Sequence, residues 1–178
     1  MLVERIEAKW IEVFVEVFRL CGVEPGDDCA VLAETQSRAI NVELSELALK
    51  RLGANVFRVT MQTPAQIAPV AIRSTGASDA IGGSAPVIAA LSQVALIADC
   101  TVEGLLHASE LPQLLGAGAR VLMVSNEHPE ILERLVPNPS LEAKVKTGTK
   151  MLRAAKEMRV TSSAGTDLTI DVETAPAG

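Results

Sequence analysis

The most constraining feature of this sequence is a run of five apolar residues, Cys29-Ala30-Val31-Leu32-Ala33, that follows a turn over residues 24–28. The run contains no alternating polar positions. It therefore predicts a strand that is buried on both faces, which is typical of a parallel sheet covered by helices.

Helical patterns stand on both sides of this run. Before it, a helix that ends at Gly22 is predicted from the apolar stripe Ile6, Trp10, Phe14 and Val17. After it, Ser37 is expected to cap a helix over residues 37–52, which Gly53 ends. The inward-facing residues of this second helix are predicted to be Ile40, Leu44, Leu47 and Leu49.

Strands and helices continue to alternate along the chain. Strands are predicted over residues 56–59, 94–98, 120–124 and 168–172, and helices over residues 86–93, 109–115, 129–135 and 140–158. This alternation predicts a three-layer α/β domain with a mostly parallel sheet flanked by helices. The expected fold is Rossmann-like without a dinucleotide motif, because neither GxGxxG nor a P-loop signature occurs.

Residues 62–84 interrupt the pattern with prolines and glycines and predict a long loop, which is uncommon in a compact domain unless it has a function. The glycines in residues 76–87 precede a predicted helix, so an anion-binding loop is one alternative to a flexible or substrate-covering loop.

Composition excludes several classes of function. The net charge of −6 opposes binding to a nucleic-acid backbone, and aromatic residues amount to only 2%, with no tyrosine to stack on bases. The sequence has no apolar run of 18 residues that would span a membrane, and its charged N-terminus does not resemble a signal peptide. A cytoplasmic location is therefore expected.

Histidine and cysteine, two of the residue types that bind metals, are scarce in this sequence. The three cysteines, Cys21, Cys29 and Cys100, share no CxxC spacing and are predicted to be buried, reduced thiols. His107 and His128 are the only histidines. A self-contained metalloenzyme normally needs several His, Cys or carboxylate ligands, so this scarcity limits the metal chemistry expected of the sequence by itself.

His107 is the strongest candidate for a functional side chain. It follows Gly104-Leu105-Leu106 in a loop that leaves the predicted strand over residues 94–98. Loops at the carboxyl ends of parallel strands hold the sites of α/β proteins, and an imidazole there can exchange a proton or bind a ligand. The alternative is a structural or solvent-facing histidine.

Further on, Gly165 predicts a tight turn between strands, with Asp167 closing an Asx-type hydrogen bond.

The segment Gly104-Leu105-Leu106-His107, placed after Ala98-Asp99, resembles the N-terminal half of the 2,5-dihydroxypyridine 5,6-dioxygenase family, which is related to the thermophilic-type metallo-aminopeptidases. Residues 119–122, 130–137 and 164–168 are also similar to that family. The resemblance extends from the first helix to about Val172.

The resemblance implies a ring-opening, Fe(II)-dependent oxidoreductase that acts on a hydroxylated pyridine and O2. In that family the iron ligands lie in a C-terminal domain, so no metal ligand is assigned to this sequence. His107 is implied to be catalytic, as a proton donor or hydrogen-bond partner, and Leu106 to bind substrate. Their loop approaches an active site that can belong to a neighbouring subunit.

The same resemblance implies domains and partners. Residues 1–158 are expected to form the α/β domain, and residues 159–178 to begin a β-rich segment whose remainder lies in a C-terminal half or a second chain. A homo-oligomer is expected. Two alternatives remain open, namely the N-terminal part of a metallo-aminopeptidase and a non-catalytic α/β assembly subunit.

Overall fold

The computed structural model describes residues 5–65, 77–124, 126–134 and 136–175. The chain forms two compact units, Met1–Val136 and Pro137–Gly178. The predicted domain boundary after residue 158 stays a prediction, and the two units are described separately below.

The first unit contains a four-stranded sheet in which all neighbouring strands are parallel. Its strands are β1 (Asp28–Glu34), β2 (Asn55–Met61), β3 (Leu96–Asp99) and β4 (Arg120–Met123). Its helices are α1 (Ala8–Leu20), α2 (Ala39–Arg51), α3 (Ala85–Leu91), α4 (Leu111–Gly116) and α5 (Pro129–Arg134). The predicted α/β class with a parallel sheet is confirmed.

The sheet is covered on both faces, and β1 shows why its sequence lacks alternation. Val31 packs in a core with Phe14 and Leu49 from α1 and α2. Its neighbours Ala30 and Leu32 point to the opposite face, into a second core that includes Leu91 of α3 and Leu114 of α4. Because side chains alternate between the faces of a strand, a strand with cores on both sides must be apolar throughout.

The strand order is β2-β1-β3-β4. The chain moves outward from β1 to β2, crosses back to β3 on the other side of β1, and continues outward to β4. The direction of winding therefore reverses between β1 and β3. In open α/β sheets, ligands bind in the crevice outside the carboxyl ends of the strands at such a reversal.

Several local predictions about the first unit were wrong. Ser37 does not cap α2: its hydroxyl accepts a hydrogen bond from the Glu34 N–H (2.7 Å) and donates one to the Cys100 carbonyl (2.6 Å), which ties β1 to the residue after β3. Leu47, which was expected to face inward, is exposed, and so is Ile6, which was counted in the apolar stripe of the first helix. Ile6 lies before α1 begins, so the helical period does not govern its direction.

The second unit contains α6 (Leu141–Ala154) and an antiparallel hairpin of β5 (Glu157–Thr161) and β6 (Asp167–Asp171). The helix predicted to reach Met158 ends at Ala154, because Met158 pairs with Ile170 in the hairpin. The tight turn at Gly165 is confirmed by its φ of 97°. Asp167, however, binds the Arg159 guanidinium at 2.9 Å, and Ser162 closes the turn instead.

Candidate active-site loop at the carboxyl edge of the sheet

The loop of residues 100–108, here called the carboxyl-edge loop, leaves β3 at the reversal point and leads towards α4. Its first residue stays attached to the sheet, since the Cys100 N–H donates to the Leu32 carbonyl of β1 at 2.8 Å. The loop therefore starts at the place where an open α/β sheet binds its ligands.

The carboxylate of Asp99, the last residue of β3, organises the loop. Its Oδ1 accepts hydrogen bonds from the Thr101 N–H (3.0 Å) and hydroxyl (2.6 Å), and its Oδ2 accepts one from the Leu105 N–H (2.7 Å). Asp99 and Thr101 are both 0% exposed. Since hydrogen bonds to a charged acceptor are stronger than neutral ones, this side chain fixes the first half of the loop.

Glu34, the last residue of β1, supplies a second buried carboxylate and is 3% exposed. Its Oε1 accepts hydrogen bonds from the Val102 N–H (3.2 Å) and from the Ser78 hydroxyl (2.9 Å). Ser78 in turn donates its own N–H to the Gly104 carbonyl at 2.8 Å. Within the described residues, Glu34 Oε2 has no hydrogen-bond partner. The loop is thus bound to the ends of two adjacent strands.

Gly104 occupies a backbone conformation that other residues rarely adopt, with φ at 79°. A Cβ atom at this position would also overlap the Sδ of Met123. The Gly104 N–H donates to the Thr101 hydroxyl at 3.1 Å. Glycine is therefore required here by both backbone conformation and space.

The two candidate residues lie at the tip of a β-turn. The Ala108 N–H donates to the Leu105 carbonyl at 3.0 Å, which places Leu106 and His107 at the central positions of this turn. Leu105 is fully buried, whereas Leu106 is 58% exposed and His107 is also exposed. The structure thus anchors one leucine and presents the next two side chains to solvent.

The electrostatics of Asp99 reflect its burial. Burial raises the pKa of the Asp99 carboxyl above its ordinary value, and the charge of nearby Glu34 adds to this effect. The hydrogen bonds from Thr101 and Leu105 act in the opposite direction. Desolvation is the largest of these contributions, so ionising this group costs more free energy in the folded state than in the unfolded state.

This raised pKa predicts a pH dependence of stability. An acid whose pKa is higher when folded binds its proton more tightly in the folded state, so its contribution to stability falls as pH rises from 3.8 through the raised value. Urea unfolding of the wild type and of Asp99→Asn across this range measures this effect. The unfolding free energy of the wild type minus that of Asp99→Asn should decline as pH rises. A difference that grows with pH would mean that the fold lowers the pKa of Asp99 instead.

The sequence predicted the positions of Leu106 and His107 on a loop after a strand, but it did not identify the groups that hold them. Glu34, Ser78, Asp99 and Thr101 were missed. One signal was present: an acidic residue directly ends a buried apolar strand at both Glu34 and Asp99. An acidic side chain at the end of a buried strand must either reach solvent or accept several hydrogen bonds. Here both carboxylates accept hydrogen bonds from the carboxyl-edge loop.

The described parts of the chain do not fit a metal centre. No group of three or more His, Cys, Asp or Glu side chains is arranged to hold an ion among them. Nor does any described helix combine the length and apolar character needed to cross a bilayer.

The fold and the site define a class of protein: an α/β domain with a parallel sheet whose winding reverses at β1 and β3, and a hydrogen-bonded loop at that reversal. The family model for NicX, described as 2,5-dihydroxypyridine 5,6-dioxygenase, matches residues 9–178. This chain belongs to the 2,5-dihydroxypyridine 5,6-dioxygenase family, as the resemblance in its sequence implied.

Relatives of known identity agree with this assignment. The 2,5-dihydroxypyridine 5,6-dioxygenase of Pseudomonas putida KT2440 is 30% identical over 164 residues, which make up 90% of this chain and 45% of the relative. A solved structure of 2,5-dihydroxypyridine dioxygenase from the same organism has a TM-score of 0.77 and 28% identity, covering 94% of this chain and 48% of that chain. The chain therefore spans about half the length of the relatives that it matches.

Proposed function

We propose that this chain is the N-terminal part of a metal-dependent dioxygenase that opens the ring of a hydroxylated pyridine with O2. The family assignment supports this reaction, since the matched relative carries that activity in its name. The observation that carries the proposal is the carboxyl-edge loop, which holds Leu106 and His107 exposed at the place where α/β sheets bind ligands.

His107 is proposed to act on the substrate as a proton donor or hydrogen-bond partner. Imidazole is the side chain that most readily gains and loses a proton near neutral pH. Ring opening of a hydroxylated aromatic moves protons on and off oxygen, which is the task of a general acid or base. An exposed imidazole on a well-fixed turn is available to a substrate held by another part of the enzyme.

Leu106 is proposed to contact the flat face of the substrate. Its side chain is 58% exposed although the next residue on the N-terminal side is fully buried. Covering that apolar surface with an aromatic ring removes it from water and gains about 25 cal/mol per Å². Leu106 therefore contributes to binding more than to chemistry.

The metal is proposed to be Fe(II), held by residues other than the described ones. In this proposal the iron and the carboxyl-edge loop come from different parts of the enzyme, in line with the family resemblance, which implies iron ligands in a C-terminal domain. Those parts can be a C-terminal half, a second chain or a neighbouring copy in a homo-oligomer.

The second unit supports the need for a partner. Its helix α6 carries Leu141, Val145 and Leu152 along one stripe, and all three are exposed. In the hairpin, Val160 and Leu168 are directly paired and are also exposed. Apolar faces of this kind are normally covered, and we propose that the remaining half of the enzyme covers them.

The complete enzyme that contains this chain tests the proposal directly. We expect it to consume O2 in equimolar amounts with 2,5-dihydroxypyridine, to lose this activity when iron is chelated, and to regain it when Fe(II) is restored. Peptide hydrolysis without O2 uptake would instead favour a metallo-aminopeptidase. Absence of both activities in an enzyme with its full metal content would favour a non-catalytic assembly subunit.

A further inference from the structure

The two buried carboxylates at the ends of β1 and β3 both accept hydrogen bonds from the carboxyl-edge loop. Asp99 accepts all three of its described side-chain hydrogen bonds from Thr101 and Leu105. Glu34 accepts from Val102 of the same loop and from Ser78, whose N–H binds the Gly104 carbonyl. Both carboxylates therefore act on the carboxyl-edge loop rather than on the helices that cover the sheet.

Stability of the fold does not explain this arrangement. Taking a carboxylate out of water is costly, and replacing buried charged groups by well-packed apolar residues is often neutral or stabilising. Here two such groups lie at adjacent strand ends, and Glu34 raises the pKa of Asp99 further. A geometric requirement of the loop accounts for carboxylates better than packing does.

The hydrogen bonds connect Asp99 to the turn tip in two steps. The Asp99 carboxylate fixes the Leu105 N–H at 2.7 Å, and the Leu105 carbonyl closes the turn by accepting from the Ala108 N–H at 3.0 Å. Leu106 and His107 are the two residues between these fixed points. Their directions are therefore set by where Leu105 and Ala108 are held.

We propose that Asp99 and Thr101, supported by Glu34 and Ser78, are positioning residues that set the direction of His107 and Leu106 for reaction. This inference rests on the proposed function and names the residues on which that function depends. Thr101 is the residue best suited to a test by substitution, because its hydroxyl both donates to Asp99 at 2.6 Å and accepts from the Gly104 N–H at 3.1 Å.

Thr101→Val and Thr101→Ser form a matched pair of variants in the complete enzyme. Valine keeps the shape of threonine but removes the hydroxyl, whereas serine keeps the hydroxyl. For Thr101→Val we expect hydrogen exchange at the Gly104 and Leu105 amides to rise about tenfold or more. The kcat should fall about ten- to a hundredfold, because the reacting group is displaced, while KM changes less. Thr101→Ser should restore both values to near those of the wild type.

A double variant separates positioning from a general loss of structure. If Thr101 acts through His107, adding Thr101→Val to His107→Ala should lower kcat by less than about twofold beyond His107→Ala alone. Leu49→Ala serves as the structural control, since it truncates a buried side chain in the other core. It should lower the melting temperature and leave the kcat of the folded enzyme unchanged.

The outcomes are distinct. Unchanged exchange and kcat in Thr101→Val, or fully additive losses in the double variant, would overturn the positioning role while leaving the proposed function intact. If His107→Ala itself retains full turnover, the proposed role of His107 fails, and so does the positioning of it for reaction.

If Thr101→Val does not fold, Ser78→Ala tests the same network through Glu34. It removes the hydroxyl that donates to Glu34 at 2.9 Å. Ser84→Ala is its control, because Ser84 makes no side-chain capping bond to α3. Faster exchange at Gly104 with a lower kcat in Ser78→Ala alone would support the proposal, and identical behaviour of the two variants would contradict it.

Discussion

We expect His107→Ala to lower the turnover of the complete enzyme by about two to four orders of magnitude, which is the usual contribution of a general acid or base. The loss should appear in kcat, because the proposed role of the imidazole is to act on protons that move during ring opening rather than on binding alone. Iron content should stay at the wild-type level, since the described residues around His107 form no metal site. Steady-state O2 uptake and metal analysis of the same preparation measure both quantities.

The other histidine provides a matched control. His128 accepts a hydrogen bond from the Glu130 N–H at the start of α5 (3.3 Å), and its ring packs edge-on against Trp10 at 5.3 Å. His128→Ala should therefore lower the melting temperature and leave turnover nearly unchanged. Full activity in His107→Ala would remove His107 from the mechanism, and equal losses in both variants would point to a shared structural effect.

Truncation of two consecutive leucines should change the free energy of unfolding by very different amounts. Leu105 is fully buried in the core that also contains Leu91 and Leu114, so Leu105→Ala should cost about 2–5 kcal/mol of unfolding free energy. Leu106 is 58% exposed, so Leu106→Ala should stay within about 0.5 kcal/mol of the wild type. Urea unfolding of the chain with each substitution measures this contrast.

Leu106→Ala, which should change stability little, should have a clear kinetic effect. In the complete enzyme, Leu106→Ala should mainly raise the apparent KM for the pyridine substrate, because it removes apolar surface that is proposed to cover the ring. A stable Leu106→Ala enzyme with unaltered KM and kcat would show that this side chain does not meet the substrate. A large loss of stability in Leu106→Ala would instead show that the turn is packed differently.

Much of the first unit was predictable because its elements are specified locally. The unbroken apolar run of β1 required a core on each face, and this requirement predicted the parallel sheet and its helical layers. Gly22 and Gly53 marked the helix ends correctly, with φ values of 75° and 82°. The wrong predictions, such as a cap at Ser37, arose where a side chain binds a residue far away in the sequence: the hydroxyl of Ser37 donates to Cys100, 63 positions on.

The candidate site was also predicted in part, by local patterns, and missed where distant residues meet. The sequence placed Leu106 and His107 in a loop at the end of a strand, because the alternation of strands and helices fixes where such loops occur. It did not show which leucine is buried, or that Glu34 and Asp99 hold the turn. One signal was present, since Glu34 and Asp99 each end a buried apolar strand, but it did not identify their hydrogen-bond donors. At the opposite end of β1, Asp27 precedes the strand and Asp28 is its first residue.

The sequence by itself determined the class of fold and the segment that carries the candidate chemistry, since both depend on short-range patterns of apolar and polar residues. Only the tertiary structure decided how that segment is held. Strands β1 and β3 are more than 60 residues apart in the chain, and their pairing brings Glu34 beside Val102 and encloses Asp99. A buried carboxylate becomes an anchor only when donors from such distant segments surround it, because its burial is otherwise too costly to persist.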